Sequence, residues 1–392
     1  MPTLNLAPAS VKDYRRLAER RLPRFLFDYL DGGSYAEVTL ARNVADFERL
    51  ALHQRILKDV SSRSTRTRLF GADLTLPLAL SPVGLSGMMA RRGEAAARRI
   101  ANAFGIPLCL STLSVCSLEE VGAAGTGPFW FQLYMIRDRG ACADLIARAK
   151  AAGASVLVLT VDLPVVGTRY RDVRNTMSGG GGVWASLRKG PLSYALRPRW
   201  VMEVGLGGGP HVLGNVAPYV QKASTPADFS AWANAQIDPA ITWADLDWIR
   251  KEWGGPFVIK GILSRDDAQD AASAGVDGII ISNHGGRQLD GVASSIAMLP
   301  RIADKVAGRM TLLIDGGVRS GQDILKAVAL GAGAAMIGRP WVYALAGAGE
   351  AGLSSLLKSL HDEFSVSMAL TGTTDVSQIG PGVLDQESGI AT

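Results

Sequence analysis

Eight short apolar segments recur along the chain, and their spacing limits the folds open to it. None alternates apolar with polar residues, so each is typical of a strand buried on both faces, as in a parallel sheet. Six of the seven intervals between successive starts are 21 to 33 residues long, which suits one strand, one loop and one helix. The segments are Pro77–Ser81, Pro107–Ser111, Phe129–Tyr134, Ser155–Thr160, Phe257–Lys260, Gly278–Ser282, Thr311–Asp315 and Ala334–Gly338.

Helix-like segments lie between most of these runs, and the alternation predicts an α/β fold, a TIM (β/α)8 barrel. The chain has 392 residues, of which 47% are apolar, enough to bury a core of that size. The amphipathic pattern from Asp13 to Leu30 predicts one helix that caps the barrel and ends at Gly32 and Gly33. We expect one domain over residues 1–392. The intervening helical segments are Ala95–Phe104, Ala143–Ala152, Ser264–Ala274 and Ser320–Leu330.

The interval between the fourth and fifth runs is 102 residues long and predicts an insertion after strand four, at residues 176–228. The insertion contains Trp184, Tyr194, Trp200 and Tyr219, and five basic residues against two acidic ones. Aromatic and basic side chains together suit the surface of an anionic membrane. A loop in solvent is the alternative.

The net charge and the cysteine content exclude some classes of protein. A net charge of +5 without a dense basic run is not typical of nucleic-acid binding. Cys109, Cys116 and Cys142 form no CxxC pair, which argues against a disulfide framework. The first residues lack a signal-peptide pattern, and no run of about 18 apolar residues predicts a membrane span. We expect a cytoplasmic protein, or one bound peripherally at the cytoplasmic face of the inner membrane.

Active sites of such barrels form at the carboxyl ends of the strands, and most of these runs end in polar or ionisable residues. Runs seven and eight are followed by DGGVRSG and IGRP, where glycine N–H groups and arginines can hold a phosphate. For either loop alone an ordinary turn is the commoner explanation. The two loops together favour a phosphate-binding site. The candidates are Asp315, Gly316, Gly317, Arg319, Gly338 and Arg339.

A second set of strand-end residues suggests acid–base chemistry. His284 follows run six and precedes Gly-Gly-Arg, which suits a general base. Asp162 could hold the imidazole, and Arg169 with Arg287 could bind a carboxylate. Lys260 ends run five, and three roles are open to it. It could be a Schiff-base nucleophile, a fixed positive charge beside a developing anion, or an ion-paired structural lysine. A hydrogen-bonded turn explains any one of them singly, whereas the combination favours a catalytic site.

Several of these segments also carry a family pattern over residues 11–379. The most specific is SNHGGRQLD at Ser282–Asp290, supported by LTVDLPVVGTRYRD, LIDGGVRSG and ALGAGAAMIGRP. The chain resembles the FMN-dependent L-2-hydroxy acid dehydrogenase/oxidase family, and within it the quinone-linked bacterial L-lactate dehydrogenases.

The resemblance implies FMN as the cofactor, with no metal, and assigns residues to it. Those implied at the flavin ring are Pro82, Val83, Gly84, Ser111, Gln132, Thr160, Lys260 and Ser282, with the phosphate candidates above holding the ribityl chain and phosphate. Those implied to bind substrate are Tyr29, Tyr134, Arg169 and Arg287. His284 would be the base, supported by Asp162.

The implied function is oxidation of a small L-2-hydroxy acid, with L-lactate to pyruvate expected, and electrons passing to a membrane quinone. The resemblance also implies membrane contact through residues 176–228 and a homotetramer. An oxidase that uses O₂ and an L-mandelate dehydrogenase are alternatives within the family. Outside it, the chain could be a phosphate-binding aldolase with a Schiff base on Lys260, or a membrane-binding barrel without catalysis.

Overall fold

The centre of the molecule is a closed barrel of eight parallel strands. The computed structural model describes residues 7–175, 191–220 and 235–385. Two short antiparallel strands, β1 (Thr67–Leu69) and β2 (Ala72–Leu74), precede the barrel. The barrel strands are β3 (Leu78–Leu80), β4 (Leu108–Ser111), β5 (Phe129–Tyr134), β6 (Val156–Thr160), β7 (Phe257–Ile262), β8 (Gly278–Ile281), β9 (Thr311–Asp315) and β10 (Ala334–Ile337).

Each predicted apolar run forms one barrel strand, which confirms the prediction of a TIM barrel. Neighbours in the chain are neighbours in the barrel, and β10 closes it by pairing with β3. Residues at alternate strand positions, among them Cys109, Val258 and Ile280, form an apolar cluster separate from the larger one. Because strand residues pack on both barrel faces, the runs show no polar alternation.

Helices follow the strands and cover the barrel, and the four predicted intervening helices correspond to α4, α6, α11 and α13. The described helices are α1 (Val11–Arg21), α2 (Arg24–Asp31), α3 (Val38–Arg49), α4 (Gly93–Phe104), α5 (Leu118–Ala123), α6 (Arg139–Ala151), α7 (Tyr170–Arg174), α8 (Pro191–Ala195), α9 (Pro198–Trp200), α10 (Asp245–Trp253), α11 (Arg265–Ser273), α12 (Ser295–Val306), α13 (Gly321–Ala329) and α14 (Arg339–Leu370).

The amino-terminal cap differs from the single helix predicted over Asp13–Leu30. It consists of α1 and α2, separated at Leu22 and Pro23. Leu22 is extended, with ψ of 144°, because a residue before proline is disfavoured in the helical region. The predicted end at the glycine pair is observed, since α2 ends at Asp31.

Part of the predicted insertion lies in the described segment 191–220, which packs against the barrel. The Asn215 side chain is fully buried and donates to the carbonyl of Ser111 (3.0 Å) and to Ser114 Oγ (2.8 Å). Its Oδ1 accepts from the N–H of Leu118 at 2.7 Å. This places the segment beside the carboxyl end of β4. Residues 176–190 and 221–228, with Trp184, lie outside the described residues.

None of the helices in the described ranges is long and apolar enough to cross a membrane.

Candidate active site

A cavity of about 580 Å³ opens at the carboxyl ends of the barrel strands, where the sequence predicts the site. All but three of the predicted site residues line it. The other three hydrogen-bond to a lining residue: Gln132 accepts from Ser111 Oγ (3.2 Å), Ser282 from Lys260 Nζ (2.8 Å) and Asp162 from His284 Nδ1 (2.8 Å). The structure therefore brings the whole predicted set together.

His284 occupies a strained turn directly after β8. Its φ is +57°, in the left-handed region, and Gly285 and Gly286 follow with φ of +63° and +73°. The backbone N–H of His284 donates to Ser282 Oγ at 3.0 Å. Such a conformation persists only where surrounding contacts fix it, and it is common at functional sites. It also accounts for the glycine pair, since glycine adopts positive φ without a steric penalty.

The His284–Asp162 pair is set up to accept a proton. The carboxylate of Asp162 can only accept, so Nδ1 carries the hydrogen and Nε2 keeps its lone pair. Burial lowers the pKa of His284 despite the opposing effect of Asp162, so the neutral ring predominates at neutral pH. Burial opposes ionisation of Asp162, but His284 and Lys260 outweigh it and lower the pKa of this carboxyl group.

Two arginines form the cationic side of the cavity. Burial, followed by the charge of Arg169, lowers the pKa of Arg287 to about 9. Arg287 is held by the carbonyls of Tyr29 (2.6 Å) and Gly32 (2.8 Å), and its guanidinium lies 4.8 Å from the Tyr29 ring centroid. Two guanidinium groups confined together are stabilised by a shared anion, and a carboxylate matches their geometry.

Lys260 is an ion-paired cation at the end of β7. Its Nζ lies 3.1 Å from Asp315 Oδ2 and donates to Ser282 Oγ. Burial alone would lower the pKa of Lys260, but Asp315 and Asp162 outweigh it and raise this pKa. A Schiff-base lysine requires the opposite shift, because its amine must be unprotonated to attack. The geometry therefore matches the predicted fixed positive charge.

The loops after β9 and β10 form a cradle suited to phosphate. Gly316 and Gly317 have φ of +89° and +96°, and a Cβ on Gly317 would lie 2.0 Å from the carbonyl oxygen of Asn43. Burial lowers the pKa of both Arg319 and Arg339, and neither has an ion-pair partner among the residues that the structure describes. Two partly buried arginines without an ion-pair partner in this part of the chain, set beside glycine turns, fit a phosphate group.

Unpaired polar atoms in and beside the middle of the cavity fit the polar edge of a flavin ring. Gln132 Nε2, Thr160 Oγ1 and Ser81 Oγ are buried and have no hydrogen-bond partner within the described chain. Native buried polar atoms are mostly paired, so such a group points to a bound molecule. Ser81 was not among the predicted residues, although it ends the first apolar run.

Asp172 is a second lining residue that the sequence analysis did not single out. It is buried, lies 3.5 Å from Arg169 Nη1 and lines the cavity. Burial raises the pKa of its carboxyl group. The signal was present in the sequence, since Asp172 lies three residues after Arg169, the spacing of neighbours on one helix face.

The comparisons with known proteins agree with this site. The chain matches the model of the FMN-dependent dehydrogenase family over residues 18–386. It belongs to the FMN-dependent dehydrogenase family. Membership confirms the predicted family, the FMN cofactor and the enzyme class, and it leaves no support for the aldolase or for a barrel without catalysis. The roles of individual residues stay predictions.

Within the FMN-dependent dehydrogenase family, the chain is similar to proteins named L-lactate dehydrogenase. It is 56% identical to that of Caulobacter vibrioides (strain NA1000 / CB15N) over 376 residues, covering 96% of this chain and 97% of that protein. It is 52% identical to that of Alcaligenes faecalis, covering 97% and 99%. Among solved structures, the monotopic membrane protein (S)-mandelate dehydrogenase superposes with a TM-score of 0.90 at 35% identity, covering 98% and 100%.

Proposed function

We propose that this protein oxidises L-lactate to pyruvate with bound FMN and passes the electrons to a membrane quinone. The observation that carries the chemistry is the neutral His284, held by Asp162 within one cavity that also contains Arg169 and Arg287. A 2-hydroxy acid presents a carboxylate and a hydroxyl proton, and the cavity offers a partner for each. The lactate dehydrogenases at 52–56% identity support the choice of lactate.

Binding places the carboxylate between the two guanidinium groups. Arg287 is fixed by two backbone carbonyls, and Arg169 lies beside Asp172. Their pre-set positions reduce the entropy lost on binding and orient the hydroxyl group. Tyr134 also lines the cavity, and burial raises its pKa, so its hydroxyl stays a hydrogen-bond donor to the substrate.

The Nε2 atom of His284 takes the proton of the substrate hydroxyl group. As the imidazolium forms, Asp162 accepts the Nδ1–H bond and stabilises the positive charge. FMN, when bound, would supply the acceptor for the substrate Cα hydrogen together with the two electrons. Lys260, with a raised pKa, supplies a positive charge next to the unpaired polar atoms that fit the flavin ring.

The membrane and the quinone belong to the same proposal. Leu196, Met202 and Leu206 in the described part of the insertion are 62%, 64% and 74% exposed, and exposed apolar side chains on a basic segment favour a lipid interface. The similar mandelate dehydrogenase is named a monotopic membrane protein. Attachment through residues 176–228, the cytoplasmic face and a tetramer stay predictions.

Anaerobic stopped-flow spectroscopy of flavin bleaching tests the proposed function. We expect L-lactate to reduce the flavin, and His284→Gln to slow that reduction on the order of 10²–10⁴-fold, since a general base contributes about that factor. His53→Gln is the matched control, because His53 is exposed and its backbone N–H bonds to Val383. Near wild-type reduction by His284→Gln would exclude His284 as the base, and a preference for (S)-mandelate would exclude lactate.

A further inference from the structure

The cavity extends beyond the predicted flavin and substrate residues into an apolar annex, lined by Phe25, Met88, Tyr194, Trp200, His211 and Val212. Four of the six come from the described part of the insertion. None carries a fixed charge, in contrast to Arg169, Arg287 and Lys260, which line the same cavity. The annex therefore suits a ligand part that is uncharged and flat or apolar.

The walls of the annex are held in place by direct contacts. The rings of Tyr194 and Trp200 stack with centroids 5.9 Å apart and planes 23° apart. Phe25 meets the edge of Tyr194 at 6.2 Å and 77°. Trp200 Nε1 donates to the carbonyl of Met88 at 2.9 Å, which ties the insertion to the loop after β3. A set of fixed aromatic faces favours a planar ring as occupant.

His211 supplies the polar group of the annex. Its Nε2 lies 2.9 Å from the carbonyl oxygen of Gly205, which can only accept, so Nε2 carries the hydrogen. Its Nδ1 is buried and has no partner within the described segments. With the hydrogen on Nε2, Nδ1 keeps its lone pair and can accept a hydrogen bond from a hydroxyl group. This suits a ligand that gains a C–OH group when it is reduced.

The residues of the annex are linked to both of the places that an electron acceptor must reach. Val83 and Gly84, implied to contact the flavin, line the same cavity, and Met88 follows in the same loop. On the other side, the chain that supplies Trp200 carries the exposed Met202 and Leu206. An apolar acceptor that arrives from lipid would enter here without crossing the cationic substrate side.

We propose that the annex binds the ring of a quinone, with His211 Nδ1 accepting a hydrogen bond from the hydroxyl group that forms on one of its oxygens as the quinone is reduced. The inference rests on the proposed quinone-linked function and adds the place of binding. Oxidation of the hydroxy acid releases two electrons and two protons, and reduction of the quinone to its hydroquinone consumes the same number. His211 is assigned to binding the acceptor, and His284 to the substrate.

The test separates reoxidation of the flavin from its reduction. The purified holoenzyme is reduced anaerobically with dithionite, mixed with ubiquinone-1, and the return of flavin absorbance is followed. We expect His211→Phe to slow reoxidation at saturating quinone about 3- to 10-fold, the effect of losing one hydrogen bond to the forming hydroxyl group. His53→Phe is the matched control and should behave as wild type.

A second variant and a binding measurement guard against a folding defect. Val212→Trp fills the annex and should weaken quinone binding about 10-fold or more, since the ring no longer fits. Reoxidation by ferricyanide, a small charged acceptor, should persist in both variants. Quenching of tryptophan fluorescence by ubiquinol-1, measured anaerobically on the reduced holoenzyme of wild type and His211→Phe, should show weaker binding to the variant.

The possible failures are distinguishable. If ubiquinone-1 reoxidises wild type, His211→Phe and Val212→Trp alike, the annex is not the quinone site and the proposed function stands. If ubiquinone-1 does not reoxidise the wild-type flavin at all, the proposed acceptor and the annex assignment both fail. If L-lactate does not reduce the flavin, the substrate proposal fails, while the dithionite experiment still decides the annex.

Discussion

At the scale of single residues, the site is governed by a balance between burial and opposite charge. Burial disfavours the charged forms of His284, Asp162 and Lys260 alike, but only the histidine ends with its neutral form favoured. The difference follows from the neighbours: Lys260 and Arg169 oppose the effect of Asp162 on the pKa of His284. His284 and Lys260 both favour the charged form of Asp162, and Asp315 and Asp162 both favour that of Lys260. The result is a base between a fixed anion and a fixed cation.

Asp162→Asn should change both the maximal rate and the pH dependence of flavin reduction by L-lactate. Asp162 raises the pKa of His284, so its removal lowers that pKa further and weakens the base. The rate depends on neutral His284 and falls as the pH drops through its pKa. We therefore expect the acidic fall of the rate to move to lower pH than in wild type, with a plateau on the order of 10²-fold lower.

Stopped-flow reduction rates measured from pH 4.5 to 8 check this prediction about Asp162. Asp162→Glu should keep part of the wild-type plateau rate, because glutamate retains the negative charge beside His284. An acidic limb that stays in place, or moves to higher pH, would show that Asp162 does not act through the proton affinity of His284.

Whether the sequence could predict a site residue depends on the position of that residue relative to the strands. His284 and Arg287 follow a buried strand, and polar residues at strand ends converge in a parallel barrel whatever the loops do. Ser81 stands at such a strand end but was not singled out, and His211 carried no such signal. The first differs from an ordinary strand-end serine only by its unpaired hydroxyl, and the second is useful only because the insertion folds back over the barrel. Both depend on contacts distant in sequence.

At the scale of elements, the loop from β9 to α13 shows why glycine is required. Gly317 has φ of +96° and almost touches the carbonyl of Asn43 in α3. Gly308, after α12, has φ of +74° but open space around it. Both positions require a positive φ, but only Gly317 lies close to another backbone. The two glycines therefore form a matched pair.

Gly317→Ala should disrupt the predicted phosphate cradle, and Gly308→Ala should not. A residue other than glycine in the left-handed region costs about 1–2 kcal/mol, which both variants incur. The steric conflict at Gly317 adds to this, and we expect a total loss of about 4 kcal/mol or more. Thermal unfolding of the FMN-free proteins and the bound flavin content of purified protein measure the difference. Equal losses in the two variants would contradict the close approach.

The amino-terminal cap marks the limit of periodicity as a guide to elements. The apolar spacing continues through residues 13–30, so it predicts one helix, although the chain turns at Leu22 and Pro23. The proline signal was local and available. Periodicity does not show where α2 packs. Its last carbonyls accept hydrogen bonds from Arg287, which follows β8, and from Arg339, which begins α14. Those contacts place Tyr29 in the cavity.

At the scale of the whole molecule, the insertion joins the surface to the site. Asn215 ties it to Ser111 at the end of β4, Trp200 ties it to Met88, and both contacts lie beside the cavity. Its exposed residues Leu196, Met202 and Leu206 belong to the same segment. If those residues enter a lipid interface, the annex opens close to the membrane where a quinone is dissolved.

The triple variant Leu196→Ser, Met202→Ser, Leu206→Ser should therefore lose binding to anionic vesicles. Burial of each apolar side chain is worth about 1.5–3 kcal/mol when complete, so even partial insertion predicts a loss of at least about 10-fold in partitioning. Cosedimentation with phosphatidylglycerol vesicles measures it. The matched control replaces Ile56, Leu57 and Val366, which are equally apolar and also exposed but lie outside the insertion.

Flavin reduction by L-lactate should stay at the wild-type rate in both triple variants, because none of the six side chains lines the cavity. Turnover with a quinone held in the vesicles should fall only in the insertion variant, in proportion to the bound fraction. If the two variants partition alike, residues 191–220 do not anchor the protein. If the insertion variant leaves the vesicles yet oxidises their quinone at full rate, the route through the annex is excluded, because the acceptor would then have to reach the flavin without the membrane contact.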